Sequence, residues 1–164
     1  MKKTVYLSLG SNLGDRAENL REAIRRLGKI GTESAVSSLY ETEPVEVTQQ
    51  QPWFLNCVAA VETELMPEQF LSQTLSLEQD MGRRRTKPRG PRTIDIDIVF
   101  FGGEVIDTPE LTIPHPAMQQ RRFVLEPLAE IAPNLRHPVL KKSVVELLAA
   151  LPANAGSVRK YQQR

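Results

Sequence analysis

The chain has 164 residues, 40% of them hydrophobic, which suits one domain of ordinary size with a single sizeable core. Lys and Arg total 21 against 20 Asp and Glu, so a formal charge of +1 favours neither nucleic acid nor an anionic membrane. No apolar run approaches the roughly 20 residues of a membrane-spanning helix, and MKKTVYLSLGSN turns polar too early for a secretory signal, so the cytoplasm is the expected compartment. The single cysteine, Cys57 in LNCVAAV, excludes an internal disulfide and a multi-cysteine zinc site and reads as a packing residue.

Residues 4–9 set Val5, Leu7 and Leu9 against Tyr6 and Ser8, the period of a half-buried strand, and stop at Gly10. After the loop GSNLGD, Asp15 is the expected N-cap of a helix whose Leu20, Ala23, Ile24 and Leu27 recur at helical spacing up to Gly28. Strands are expected at 33–40 and 54–63, separated by a polar loop with Pro44 and Pro52 near its ends. Pro67 suits a first helical position, and Phe70, Leu71, Thr74, Leu75 and Leu77 give a helix over 67–81 its apolar face; Gly82 ends it. Residues 94–101, IDIDIVFF, read as a strand with Ile94, Ile96 and Ile98 on one face and Asp95 and Asp97 on the other. The order βαββαβ matches a ferredoxin-like α+β arrangement, an antiparallel sheet with helices on one face and the other face free for a ligand. Residues 102–151 add a short hairpin, turns at IPHP, and helices near 124–131 and 144–151; residues 153–164 lack apolar periodicity and are expected to fray within one domain spanning 1–164.

Asp95 and Asp97 project from one strand face ~6–7 Å apart along the backbone. Alone, such a pair reads as an edge strand exposing acids to water. Here it follows a loop, GRRRTKPRGPRT, with six basic residues between Arg83 and Arg92 and no acidic one. Carboxylates that hold Mg²⁺ beside arginines that hold phosphate are what a nucleoside triphosphate site requires, although a charge run is more often a solvated segment. Arg92, fixed by Pro91 and three residues before Asp95, is the first choice among the basic residues. GxxxxGK[ST] and GxGxxG are both absent, so neither glycine loop cradles phosphate. His115 in IPHP, with Arg121 six residues on, reads either as a phosphate contact or as a turn histidine, while His137 in RHPV reads as structural. Phe54 and Asn56 alternate on their strand, offering a ring and an amide to a flat heterocycle; Phe123 is a second aromatic, with Trp53 and Tyr40 as alternatives.

GSNLGDR, YETEP, FLN, PRTIDIDIVFFG, IPHP and R-x-FVL-x-PL stand in one order between Val5 and Pro138, and together they resemble the 6-hydroxymethyl-7,8-dihydropterin pyrophosphokinases. The resemblance implies transfer of the β,γ-diphosphate of ATP to the hydroxymethyl group of a dihydropterin, leaving AMP. It implies that Asp95 and Asp97 hold a pair of Mg²⁺ ions, that Arg83, Arg85 and Arg92 engage phosphates, with Arg83 and Arg92 counted in the catalytic set, and that His115 and Arg121 stand near the triphosphate. Thr42, Val45, Phe54, Asn56 and Phe123 match the pterin pocket; Glu78 and Thr112 match adenosine contacts, and Ile98 packs near the base. Many members read Arg-Trp where this chain has Pro88-Arg89, and Glu110 and Pro116 replace an arginine and a tyrosine found in some.

A βαββαβ sheet with a basic loop is also the outline of an RNA-recognition domain, but FLNCVAAVE lacks the interleaved aromatic and basic residues that such a sheet uses, and only 5% of the chain is aromatic. A regulatory domain that binds nucleotide without transfer is a further alternative. The expected partners are small molecules only, with no membrane, no nucleic acid and a monomeric chain.

Overall fold

A computed structural model of the chain describes residues 2–42, 53–82, 93–153 and 158–161. Strand β1 (Lys3–Ser11) extends past the alternating apolar stretch because Gly10 and Ser11 still pair with Asn56 and Leu55. Helix α1 (Arg16–Leu27) starts where Asp15 Oδ1 accepts the Glu18 N–H at 3.2 Å, and it buries Ala17, Leu20, Ala23 and Leu27. The stretch expected as one strand over 33–40 is instead two, β2 (Thr32–Val36) and β3 (Tyr40–Thr42), both antiparallel to β4 (Phe54–Thr63). The register slips between Glu33 and Ala35 and again between Val36 and Tyr40. Serines repair the ladder at both slips: Ser34 Oγ donates to the Ala60 carbonyl at 3.2 Å, and Ser37 Oγ accepts the Val58 N–H at 2.9 Å.

Helix α2 (Pro67–Asp80) buries Phe70, Thr74, Leu77 and Glu78; Leu75, expected on its apolar face, is exposed. Gly82 closes it at φ +87°, a left-handed conformation that costs glycine nothing. Strand β5 (Asp95–Phe101) leads to a hairpin of β6 (Ile106–Asp107) and β7 (Thr112–Ile113), then through a cis Ile113–Pro114 bond to a 3₁₀ turn at Met118–Gln120. Helices α3 (Arg122–Ile131) and α4 (Val144–Ala149) follow, the latter held by reciprocal bonds between Ser143 and Glu146. Residues 158–161 of the tail expected to fray are instead held: Val158–Lys160 forms β8 on the outer edge of β3, and the Tyr161 N–H donates to the Leu39 carbonyl at 2.8 Å. Three residues without an apolar period carry no strand signal of their own; the unpaired edge of β3 supplies the pairing.

The sheet order is β5-β1-β4-β3-β8, with β2 also on β4 and every neighbouring pair antiparallel. This is the ferredoxin-like order, β2 and β3 sharing one strand's place. On one face Val5, Leu7, Leu9, Cys57, Ile96 and Ile98 meet Leu20, Leu27, Phe70 and Leu77 of α1 and α2 in the larger core. On the opposite face Val58, Val99 and Phe100 pack with Val124, Leu125, Leu128, Val144 and Leu147 of α3 and α4. A bulge serves this second core: Ile98 pairs with Leu7 but Phe100 with Tyr6, so Val99 and Phe100 both reach it. The added helices thus take one end of the second face and leave polar residues at the other end, where β1 finishes and β5 begins. Among the described residues no helix is long and apolar enough to cross a membrane.

Candidate active site

Alternation on β5 puts Ile96 in the larger core and sends Asp95 and Asp97 together to the other face, both half-buried. Their register partners on β1 are Gly10 and Ser8. β5 is the outermost strand on its side, and the Ile96 N–H is turned away from β1 to Glu78, whose Oε2 accepts it at 2.6 Å. Glu78 is 3% exposed. The resemblance places Glu78 beside adenosine; in the structure its carboxylate fastens the residue between the two aspartates, a long-range contact that no local pattern signals. Ile98 likewise turns its side chain into the larger core, which leaves its main chain, on the same outer edge as that of Ile96, as the part that could meet a base. Among the described residues no third His, Cys, Asp or Glu gathers with the aspartate pair. Two carboxylates without softer ligands suit a hard cation that completes its shell with water and phosphate oxygens, so the donor set fits Mg²⁺.

Across the same face Tyr40, Asn56, Gly10 and Asp95 follow one another as register partners, and Thr42 pairs with Phe54 in the adjoining row. Asn56 is 4% exposed; its Oδ1 accepts the Thr42 hydroxyl at 2.6 Å, and its Nδ2 lies 3.5 Å from the Leu9 carbonyl. That long second contact is weak, so the amide's donors are the groups best placed to read a heterocycle. Gly10 makes room for them: a Cβ there would come within 2.7 Å of Asn56 Nδ2 and 3.3 Å of the Phe54 ring. The glycine that ends the alternating strand was the available sequence signal for this, read there only as a strand terminator. Tyr40 is no stacking partner, since it is buried and its hydroxyl donates to Glu130 Oε1 at 2.6 Å. Trp53 is covered by the Arg159 guanidinium, 5.1 Å from its ring centroid. Phe123, half-buried at the start of α3, carries the Arg121 guanidinium 5.5 Å from its centroid, so these two form a cation–π pair.

His115 is anchored by its own N–H to the Val99 carbonyl at 3.0 Å, and its Nδ1 accepts the Ala117 N–H at 3.2 Å. The neutral ring therefore carries its proton on Nε2. Burial, reinforced by the Arg121 charge and opposed by Asp95, pushes its pKa down to about 4. The two readings of this residue merge: it orders its turn through Nδ1 and keeps a donor on Nε2. His137 is structural, its Nδ1 accepting from Val139 and Leu140 at 3.1 and 3.0 Å and its ring standing edge-on to Phe100. Thr112 is half-buried on β7, just before the IPHP turn. Val45, Arg83, Arg85 and Arg92, with Pro88 and Arg89, lie outside the described residues.

A family model described as 7,8-dihydro-6-hydroxymethylpterin-pyrophosphokinase (HPPK) matches residues 6–133. The 2-amino-4-hydroxy-6-hydroxymethyldihydropteridine pyrophosphokinase of Bacillus subtilis is 45% identical over 133 residues, which are 80% of this chain and 79% of that protein. The protein of the same description from Pseudomonas aeruginosa is 42% identical over 154 residues, 93% of this chain and 94% of that one. Folic acid synthesis protein FOL1 of Dictyostelium discoideum is 43% identical over 94% of this chain, but the chain spans only 23% of that protein's length. In the crystal structure of wild-type Plasmodium falciparum HPPK-DHPS with pteroate, 42% of that chain superposes on 91% of this one at a TM-score of 0.73 and 18% identity, a likeness of fold. With a family match from strand β1 to beyond helix α3, and relatives above 40% identity along most of both chains, the chain belongs to the 7,8-dihydro-6-hydroxymethylpterin-pyrophosphokinase family.

Proposed function

We infer that the chain transfers the β,γ-diphosphate of ATP to the hydroxymethyl group of 6-hydroxymethyl-7,8-dihydropterin, giving AMP and the pterin diphosphate, a step of folate biosynthesis. The observation that carries this reading is the single row running from Asn56 through Gly10 to Asp95, which sets a heterocycle-reading amide and a cation-binding carboxylate side by side on one sheet face. The hydroxymethyl oxygen bonds to the β-phosphorus while the bond from that phosphorus to the bridging oxygen of AMP breaks, and the hydroxyl proton leaves to water. Asp95 and Asp97 hold the cation, in our reading two Mg²⁺ ions, whose charge offsets that of the phosphate oxygens. His115 donates its Nε2–H and Arg121 its guanidinium to the triphosphate, while Phe54 and Phe123 flank the pterin that Asn56 and Thr42 recognise. Arg83, Arg85 and Arg92 complete the phosphate contacts, Val45 the pterin pocket, and Glu78, Thr112 and Ile98 the nucleoside side, Glu78 chiefly by fixing β5. Positioning and charge carry the catalysis, and no side-chain nucleophile is needed.

The same reading has a cytoplasmic monomer that binds neither nucleic acid nor membrane. A polar face built on two aspartates and an asparagine suits a metal-bound nucleotide better than the aromatic stacking that RNA recognition needs. The test is chromatography of AMP and pterin diphosphate from purified protein, ATP, Mg²⁺ and the dihydropterin. The expected result is pterin-dependent AMP formation that EDTA removes and that Asp97→Ala lowers at least about a thousandfold with an unchanged circular dichroism spectrum. ATP binding without AMP would establish the regulatory alternative instead, and near-normal turnover by Asp97→Ala would sink the metal assignment.

A further inference from the structure

The reverse side of the β3–β4 end, behind Thr42 and Phe54, is gripped by two arginines from distant parts of the chain. Arg16, at the start of α1, places Nη2 3.0 Å from Glu41 Oε2 and donates from Nη1 to the Trp53 carbonyl at 2.9 Å. Arg159, on β8, donates to the other Glu41 oxygen from Nε at 3.3 Å and Nη2 at 3.1 Å, and its guanidinium covers the Trp53 ring. Tyr161 closes the group: its ring lies 5.7 Å from the Arg16 guanidinium, its N–H bonds to Leu39, and it packs on the larger core. Glu41 precedes Thr42 and Trp53 precedes Phe54, so the grip takes both strands one residue from the pair that borders Asn56. A carboxylate shared by two guanidiniums in a partly buried setting fixes the strands more firmly than one exposed ion pair does.

We propose that Arg159 and Tyr161, acting through Glu41 and Arg16, are positioning residues for the pterin half of the site, so that β8 sets affinity for the pterin and not for ATP. This rests on the pyrophosphokinase reading above. β8 lies beyond residue 133, where the family match ends. The aspartates stand on β5, and His115, just after β7, bonds to Val99 of β5; β5 lies two strands from β4 and three from β3, so the nucleotide half is set apart from the clamp across the sheet.

The test measures KM for the pterin and for ATP, kcat and thermal unfolding in wild type, Arg159→Ala, Arg159→Lys, Tyr161→Ala and Tyr161→Phe. Arg159 has a 68% exposed side chain, so its removal leaves the core untouched, and Glu41→Gln serves as a second disconnection of similar size. The expected result is a pterin KM raised about three- to tenfold in Arg159→Ala, Tyr161→Ala and Glu41→Gln, with ATP KM and kcat within about twofold of wild type. Tyr161→Phe keeps the ring over Arg16 and stays at the wild-type value; Arg159→Lys keeps the charge without the planar fork and falls between. An unchanged pterin KM, or both KM values rising in step with lost thermal stability, overturns the proposal. Wild-type protein without pterin-dependent AMP formation overturns the functional reading and the clamp together, whereas wild-type turnover with indifferent variants overturns the clamp alone.

Discussion

The histidine of IPHP has a sign that can be checked by titration. His115 is held near pKa 4 in the folded chain, first by burial and then by the Arg121 charge, against an ordinary value of 6.5. The unfolded chain therefore takes up a proton on this ring at higher pH than the folded one does, and the ring's contribution to stability, complete above pH 6.5, is lost as pH falls toward 4. Thermal unfolding of wild type and His115→Asn between pH 7.5 and 4 should show wild type ahead at neutral pH and the gap narrowing on acidification; a gap that stays constant or widens means that the ring is not held neutral. On the proposed function the same physics would serve the reaction, because a neutral ring with its proton on Nε2 donates to an anionic oxygen without needing to be charged first.

Strand β5 owes its position to a side chain on another element. A carboxylate in the core is costly unless it is bonded, and Glu78 answers this by accepting the outward Ile96 N–H at 2.6 Å. Glu78→Ala should cost about 1–3 kcal/mol in unfolding free energy by leaving that buried N–H without its acceptor. It should also raise the Mg²⁺ concentration needed for half-maximal activity about 10- to 100-fold, the usual scale for losing a group that orients metal ligands. Glu78→Gln retains an oxygen acceptor and should suffer less in both measurements, and wild-type unfolding with wild-type Mg²⁺ dependence in the alanine variant would refute the role. The contrast between Glu78 and its strand shows what a sequence can carry. The alternation of Asp95 and Asp97 against Ile96 and Ile98 is local and was legible, as was β4 from Phe54 to Thr63, whose ends coincide with the expected ones. The break at residues 37–39, the bulge at Val99, the space above Gly10 and the β8 pairing all depend on which residue lies across the sheet, and a one-dimensional period holds no information about that partner.

The whole molecule divides its labour between two faces of one sheet. The face under α1 and α2 supplies the larger core, while the other face carries the second core at one end and polar residues at the other. A ligand that binds only the folded polar end must raise the unfolding temperature by mass action. At a hundred times its dissociation constant such a ligand adds about 2.7 kcal/mol, which for a domain of this size is a shift of roughly 5–10 °C. ATP with Mg²⁺ should give a shift of this order, and ATP with EDTA should give far less, because the triphosphate then meets Asp95 and Asp97 as like charges with no cation between them. Asp97→Asn reverses part of that electrostatic penalty while weakening the cation, so its shift should depend less on Mg²⁺ than that of wild type. An equal shift with and without Mg²⁺ in the wild-type protein would mean that the nucleotide binds away from the aspartate pair, and the assignment of the polar end as its site would fall.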